Sequence, residues 1–264
     1  MKTRLRAAQA LLFAAGFLFF IAAAGAAEIK VMSSAGFKAA YLELATEFER
    51  ATGHTIVNAW GPSMGNTPQA VPNRIARGEP VDVVIMVGDA LDLLVKDGKV
   101  VASSRTDLAR ALISAAVRAG APKPDIGSVE AFKHALEDAK SIAYSDSASG
   151  VYIETVLYPK LGISEAIKAK SKMIPAEPVG EVVARGDAEI GFQQTSELVP
   201  VQGIDIIGPI PAEIQKATMF STGIAVGAKE PEAGAALIKF LSAPAAASAI
   251  RKSGMEPAVS GANN

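Results

Sequence analysis

The run Val81-Asp82-Val83-Val84-Ile85-Met86-Val87 narrows the possible folds more than any other stretch of the chain. Only Asp82 interrupts its apolar character, and Gly78 and Gly88 bracket it. A segment of that length without alternation has no face to give to water. It fits a strand covered on both sides, as in sheets flanked by helices. The surroundings agree. Glu28 to Met32 is strand-like, and Phe37, Ala40, Tyr41, Leu44, Ala45 and Phe48 recur at helical spacing before the stop at Gly53. His54 to Ala59 predicts a strand, while Pro72 to Arg77 and Ala90 to Lys96 predict helices. Further on, Ser141 to Tyr144 predicts a strand and Val151 to Leu161 a helix ended by Gly162. Val179 to Ala184 is helical, and Ala188 to Phe192 and Thr222 to Val226 are strands. Glu232 to Lys252 is one long Ala-rich helical stretch. The alternation predicts an α/β protein with mainly parallel sheets. Only 6% of residues are aromatic against 50% hydrophobic, so the core is built largely from small aliphatic side chains.

The N-terminus has a different character. Lys2, Arg4 and Arg6 precede an apolar run from about Ala10 to Ala24, which ends in Ala24-Gly25-Ala26. Basic, apolar and small segments in that order predict an export leader over residues 1–26, placing the mature chain in the periplasm. A retained anchor is the alternative, because the run approaches the length of a membrane span. No charged cluster follows it, since Ala27-Glu28-Ile29-Lys30 already begins the first strand. Loss of Lys2, Arg4 and Arg6 takes 26 Lys+Arg to 23 against 27 Asp+Glu, a net charge near −4. A mildly acidic chain without a basic run is a poor partner for nucleic acid. The absence of cysteine removes disulfides and thiolate metal sites together.

The remaining length suits two lobes. Pro/Gly-rich segments lie near Ala119 to Gly127 and Gly203 to Pro211. The expected division is residues 27–107 with 209–264 in one lobe and 108–208 in the other, crossed twice.

Four loops share one chemistry: Ser33-Ser34-Ala35-Gly36, Gly61-Pro62-Ser63-Met64-Gly65-Asn66, Ser145-Asp146-Ser147-Ala148-Ser149-Gly150 and Gln193-Gln194-Thr195-Ser196. Each follows a strand and precedes a helix or turn. Ligands of α/β proteins settle at the carboxyl ends of strands, where free N–H groups and hydroxyls hold an anion without a buried counter-charge. The same residue types also serve simply as helix N-caps. Both readings stand at this point.

The stretches Ile29-Lys30-Val31-Met32-Ser33-Ser34-Ala35, Gly78-Glu79-Pro80-Val81-Asp82-Val83-Val84 and Arg185-Gly186-Asp187-Ala188-Glu189-Ile190-Gly191-Phe192 carry a resemblance. So does the helix around Ala236 to Leu241 before Ser253-Gly254-Met255. The chain resembles the periplasmic molybdate-binding proteins of ABC importers over nearly its whole mature length. That superfamily of two-lobed periplasmic binding proteins also includes aconitate isomerase. The resemblance implies a small anionic solute held between closing lobes, an importer membrane component as partner, a monomer, and neither metal nor cofactor. Carried over by position are Ser33 or Ser34, then Ser63, then Ser149 and Gly150; the polar loops add Met64, Gly65, Gln193 and Gln194 to the expected ligand set.

Two departures bear on the ligand. A tyrosine expected after the Gly191 strand is replaced by Gln194, and Trp60-Gly61-Pro62 stands where small residues are expected. A flat aromatic beside the loop favours a di- or tricarboxylate over molybdate, though Trp60 serves equally as core packing. An isomerase of cis- and trans-aconitate is the alternative to a transport receptor. It needs a proton carrier, and no residue is singled out. His54 and His134 fit structural or surface roles. Lys38, Tyr144, Tyr152 and Glu154 lie near the loops.

Overall fold

The computed structural model describes residues 25–175 and 177–258. All but the last two residues of the expected leader lie outside them. Among the described residues, eleven strands build two sheets. They are β1 (Glu28–Ser33), β2 (Thr55–Trp60), β3 (Val83–Val87), β4 (Thr106–Ala111), β5 (Ile113–Arg118), β6 (Ile142–Ser145), β7 (Ser171–Ile174), β8 (Ile190–Gln194), β9 (Ile204–Pro209), β10 (Thr218–Ile224) and β11 (Glu256–Pro257). One sheet has the order β11-β4-β10-β3-β1-β2 and the other β7-β6-β8-β5-β9.

β3 is the continuous apolar run, and all five of its residues are buried. Val83, Ile85 and Val87 face a core closed by the helices Lys38–Thr52, Pro231–Leu241 and Ala247–Lys252. Val84 and Met86 face the opposite core, formed with Val71, Ala90, Leu91 and Leu94. Two covered faces leave no position for a polar side chain within the strand, which is why its sequence does not alternate. Asp82, just outside it, is also buried, and its carboxylate accepts from the N–H groups of Lys30, Lys229 and Glu230 at 2.8, 2.7 and 3.1 Å. The second sheet is likewise covered on both faces. One side packs the helix Val129–Asp138 and the helical run from Ala148 to Leu161, and the other the helix Val179–Arg185.

The α/β fold class is borne out, with one difference in the sheets. β1 pairs in parallel with β2 and β3, and β6 with β7 and β8. The strands that carry the chain between the sheets pair antiparallel, so both sheets are mixed rather than mainly parallel. A strand arriving from the other sheet enters from the end opposite to one that follows its own crossover helix.

β4 stays in the first sheet through Ala111 and β5 opens the second at Ile113, so the first passage falls at Leu112. An earlier passage, at residue 107, would lie inside β4. The return follows Ile214, which still packs in the second core, and precedes Thr218. Gln215 ties the passages together: its amide accepts from Ile113 N–H at 2.9 Å and donates to Ile113 C=O at 2.9 Å. The stretch from Glu232 to Lys252 is two helices, Pro231–Leu241 and Ala247–Lys252. Pro244 lies at the break, and the helices on its two sides are bent by 56°. Proline cannot supply the N–H that a continuing helix needs.

Candidate functional site

The carboxyl ends of β1, β2 and β3 in one sheet, and of β6, β7 and β8 in the other, meet at a cleft of about 480 Å3. From the first sheet come Ser34, Ala35, Gly36, Lys38, the loop Trp60 to Met64 and Phe220. The second sheet contributes Ser145 to Ala148, Glu177, Pro178, Gln193, Gln194 and Glu197. Placement at strand ends follows from the fold, because that is where backbone donors are not consumed by sheet pairing.

Of the residues expected from the sequence, Ser34, Ser63, Met64, Gln193 and Gln194 line this cleft. Ser33, Gly65, Ser149 and Gly150 are not on its wall. Ser33 is the last residue of β1 and is spent on a local bond to the Ser34 carbonyl at 3.2 Å. The Ser149 hydroxyl is buried behind the wall, 3.1 Å from Ser145 Oγ and 3.4 Å from Ser147 Oγ. Ser145 and Ser147, themselves 2.7 Å apart, present that cluster to the cleft. Gln193 and Gln194 belong to the strand end of β8 rather than to a loop.

The hydroxyls are not used as helix caps. Ser34, Ser147 and Gln194 occupy N-cap positions, yet none makes a side-chain capping bond. Ser34 Oγ is buried with no hydrogen-bond partner among the described residues. Ser63 Oγ accepts from Val87 N–H at 3.0 Å, which leaves its own proton to donate. Gln194 donates to Thr218 Oγ1 at 2.8 Å, and its buried carbonyl oxygen has no partner among the described residues. Unsatisfied buried polar groups cost about 1–3 kcal/mol each. Two of them, Ser34 Oγ and Gln194 Oε1, stand at this cleft, as in a site completed by a ligand.

Ser34→Ala is therefore expected to weaken anion binding by about 1.5–3 kcal/mol, the worth of a bond to a charged acceptor. That is roughly 10- to 150-fold in Kd by calorimetry. The thermal midpoint should not fall, because no protein group loses a partner. Ser63→Ala should weaken binding comparably and also lower stability by about 1 kcal/mol, since Val87 N–H loses its acceptor. Unchanged affinity in both variants would show that these hydroxyls do not touch the ligand.

Trp60 is both packed and on the cleft wall. It packs edge-on against Tyr41, with ring centroids 5.9 Å apart, and it walls the cleft. Lys38 Nζ lies 4.9 Å from the centre of its ring, so a cation stands beside a flat apolar surface. The other proton-carrier candidates are off the cleft wall. Tyr144 packs edge-on to Tyr158 at 6.0 Å, and burial, then Glu154, raises its phenol further from neutrality. Tyr152 donates to the Ile214 carbonyl at 2.8 Å. His54 stacks on Phe48 and accepts from Ala27 N–H, and His134 is exposed beside Glu130 and Glu137.

Glu197 is one of the cleft residues that sequence reasoning missed, with Glu177, Pro178 and Phe220. It follows β8 in the short helix Thr195–Leu198, and part of its surface opens on the cleft while protein packs around the rest. Burial, aided by the nearby Asp146 charge, pushes its carboxyl up to about 7, against hydrogen bonds from Gln193 and the Gln194 backbone. The only local signal was its position next to the Gln193-Gln194-Thr195-Ser196 segment.

Comparison with known proteins bears on the family and the fold. A family model described as bacterial extracellular solute-binding protein matches residues 29–256. Among similar proteins, an aconitate isomerase from a Pseudomonas species is 52% identical over 237 residues, covering 90% of each chain. The molybdate-binding protein ModA of Azotobacter vinelandii is 31% identical over 260 residues, covering 92% of this chain and 96% of its own. The solved periplasmic molybdate-binding protein of Azotobacter vinelandii superposes with a TM-score of 0.68 at 21% identity, covering 86% of this chain and 98% of that one. The chain thus belongs to the bacterial extracellular solute-binding protein family.

Proposed function

We propose that the protein holds an unsaturated tricarboxylate between its two sheets and interconverts cis- and trans-aconitate in the periplasm, after loss of a leader over residues 1–26. What carries this reading is a cleft of about 480 Å3 with hydroxyl donors from both sheets, in a chain 52% identical to an aconitate isomerase. Sites for organic ligands span about 300–1,000 Å3. A tetrahedral oxyanion of five atoms would leave most of this one empty. Ser34, Ser63, Ser145 and Ser147 supply neutral donors for carboxylates, Lys38 a cation, and Trp60 a flat wall for a planar double bond. The two sheets are the bodies that close, turning at Leu112 and at the return after Ile214.

The two isomers differ across a C=C bond that does not rotate at ambient temperature. Moving a proton from the methylene carbon to the far vinyl carbon relocates the double bond. The torsion about the former single bond when the proton leaves then sets which isomer forms. The chemistry consumes no co-substrate. It needs a proton carrier and donors that stabilise the charge developing on a carboxylate.

A second reading keeps the site without turnover, as a receptor that passes its anion to an ABC importer. The family and the 31% identity with a molybdate-binding protein favour it. One experiment separates the two. The protein lacking residues 1–26 is mixed with each aconitate isomer and followed by proton NMR, with molybdate and citrate binding measured by calorimetry. Solutions started from either isomer are expected to converge on one mixture. Unchanged isomers together with tight molybdate binding would establish the receptor instead.

A further inference from the structure

Glu197 faces the cleft with an unusual set of neighbours. Among the described residues no cation is found in the groups that act on it, and both Asp146 and Glu177 line the same cavity. Glu177 is accounted for by Arg185, at 2.5 Å. A glutamate at the third position of a helix often reaches back to the N-cap N–H, and the bond from the Gln194 backbone is of that kind. Capping alone does not require the side chain to border a cavity lined by serines. Nor does it require the second donor, the Gln193 side chain, whose Oε1 is itself fixed by Val179 N–H at 2.9 Å. The carboxyl is thus held in one place at the cleft wall.

We propose that Glu197 is the group that carries the proton between the two carbon atoms of the bound unsaturated tricarboxylate; this rests on the isomerase reading above. In the ionised form its oxygen takes a proton from the methylene carbon. The C–H electron pair becomes the new C=C bond to the central carbon, and the former C=C pair moves onto the far carbon and its carboxylate. That carboxylate lies among the serine donors and Lys38 while it bears the extra charge. The resulting carboxylic acid of Glu197 returns the proton to the far carbon, and the carboxylate is regenerated. Nothing is oxidised or reduced. A carboxyl that titrates near neutrality suits both halves, because an effective proton carrier has its pKa close to the working pH.

The test compares wild type with Glu197→Gln and Glu197→Asp in aconitate conversion followed by NMR, and in trans-aconitate binding by calorimetry. Glu197→Gln is expected to lower kcat by about 10²-fold or more while Kd changes by only a few-fold. Wild-type kcat should rise with pH through a group titrating near neutrality, since the ionised form starts the reaction. Glu197→Asp should retain measurable turnover with a pH-dependent rate. That variant and the wild-type profile keep the test decisive where the glutamine protein folds poorly. Glu197→Gln turning over at the wild-type rate would overturn the proposal and leave the isomerase intact, as would a wild-type kcat flat across about pH 5 to 9. Wild-type protein that binds aconitate without converting it would instead overturn the isomerase reading, and this role with it.

Discussion

Asp82→Ala is expected to destabilise the protein by about 3–5 kcal/mol, measured as a lower urea midpoint at unchanged m-value. The carboxylate is 3% exposed and accepts from three backbone N–H groups, those of Lys30 in β1 and of Lys229 and Glu230 ahead of the helix Pro231–Leu241. Truncation strands all three, at about 1–3 kcal/mol for each donor left dry. Water reaching the exposed Lys229 keeps the sum below the upper bound. The residue also places negative charge at the start of a helix of eleven residues, where the dipole favours it. Domains of this kind are stable by about 5–15 kcal/mol in all, so the change removes a large share. Asp82→Asn, which keeps one acceptor oxygen, should cost less than half as much. Equal midpoints for wild type and the alanine variant would show that these donors find other partners.

Gly150→Ala is the second large effect, and it acts on the site. A β-carbon at Gly150 would stand 1.6 Å from the Ser145 carbonyl oxygen, 2.6 Å from its carbonyl carbon and 2.9 Å from its nitrogen. These are backbone atoms at the end of β6, so no side-chain rotation relieves the overlap. The strand end and the first turn of the following helix must separate. That movement breaks the hydroxyl cluster of Ser145, Ser147 and Ser149, whose oxygens lie 2.7 to 3.4 Å apart. Overpacking of this kind costs about 3 kcal/mol, and an ångström-scale displacement of positioned groups costs on the order of 10²-fold in function. Both urea unfolding and calorimetric titration with trans-aconitate should register it. Wild-type midpoint and affinity together would refute the argument. Gly150 does not line the cleft, but it lets Ser145 and Ser147 do so.

Much of the fold was legible because it is written in short-range periodicity. The helix Lys38–Thr52 buries Ala40, Tyr41, Leu44, Ala45 and Phe48, and it ends at Gly53 with φ of 75°, a left-handed conformation that glycine adopts at little cost. β3 was recognisable because two covered faces leave an unbroken apolar run. β4 was not, since Asp107 and Arg110 break its pattern; Asp107 pairs with Arg105 and Arg110 with Glu256. β9 read as a Pro/Gly-rich loop because its residues are largely half-exposed and supply no alternation. The break at Pro244 went unread, because alanine spacing on either side supports one continuous helix.

The sequence by itself determined the α/β character, the order of most elements and the polar segments that follow their strands. Helical and strand periods, glycine stops and N-cap residue types all act within a few residues, so a linear reading captures them. Tertiary structure alone decided the rest. It placed Ser34 rather than Ser33 on the cleft, and set Ser149 behind Ser145 and Ser147. It also brought Glu197 into the wall. A glutamate beginning a short helix is unremarkable in a linear chain. Its burial beside Asp146, and with it the elevated carboxyl, exists only when β6 and β8 lie side by side. Proton affinity is set by surroundings gathered from distant parts of the chain, and no local pattern records them.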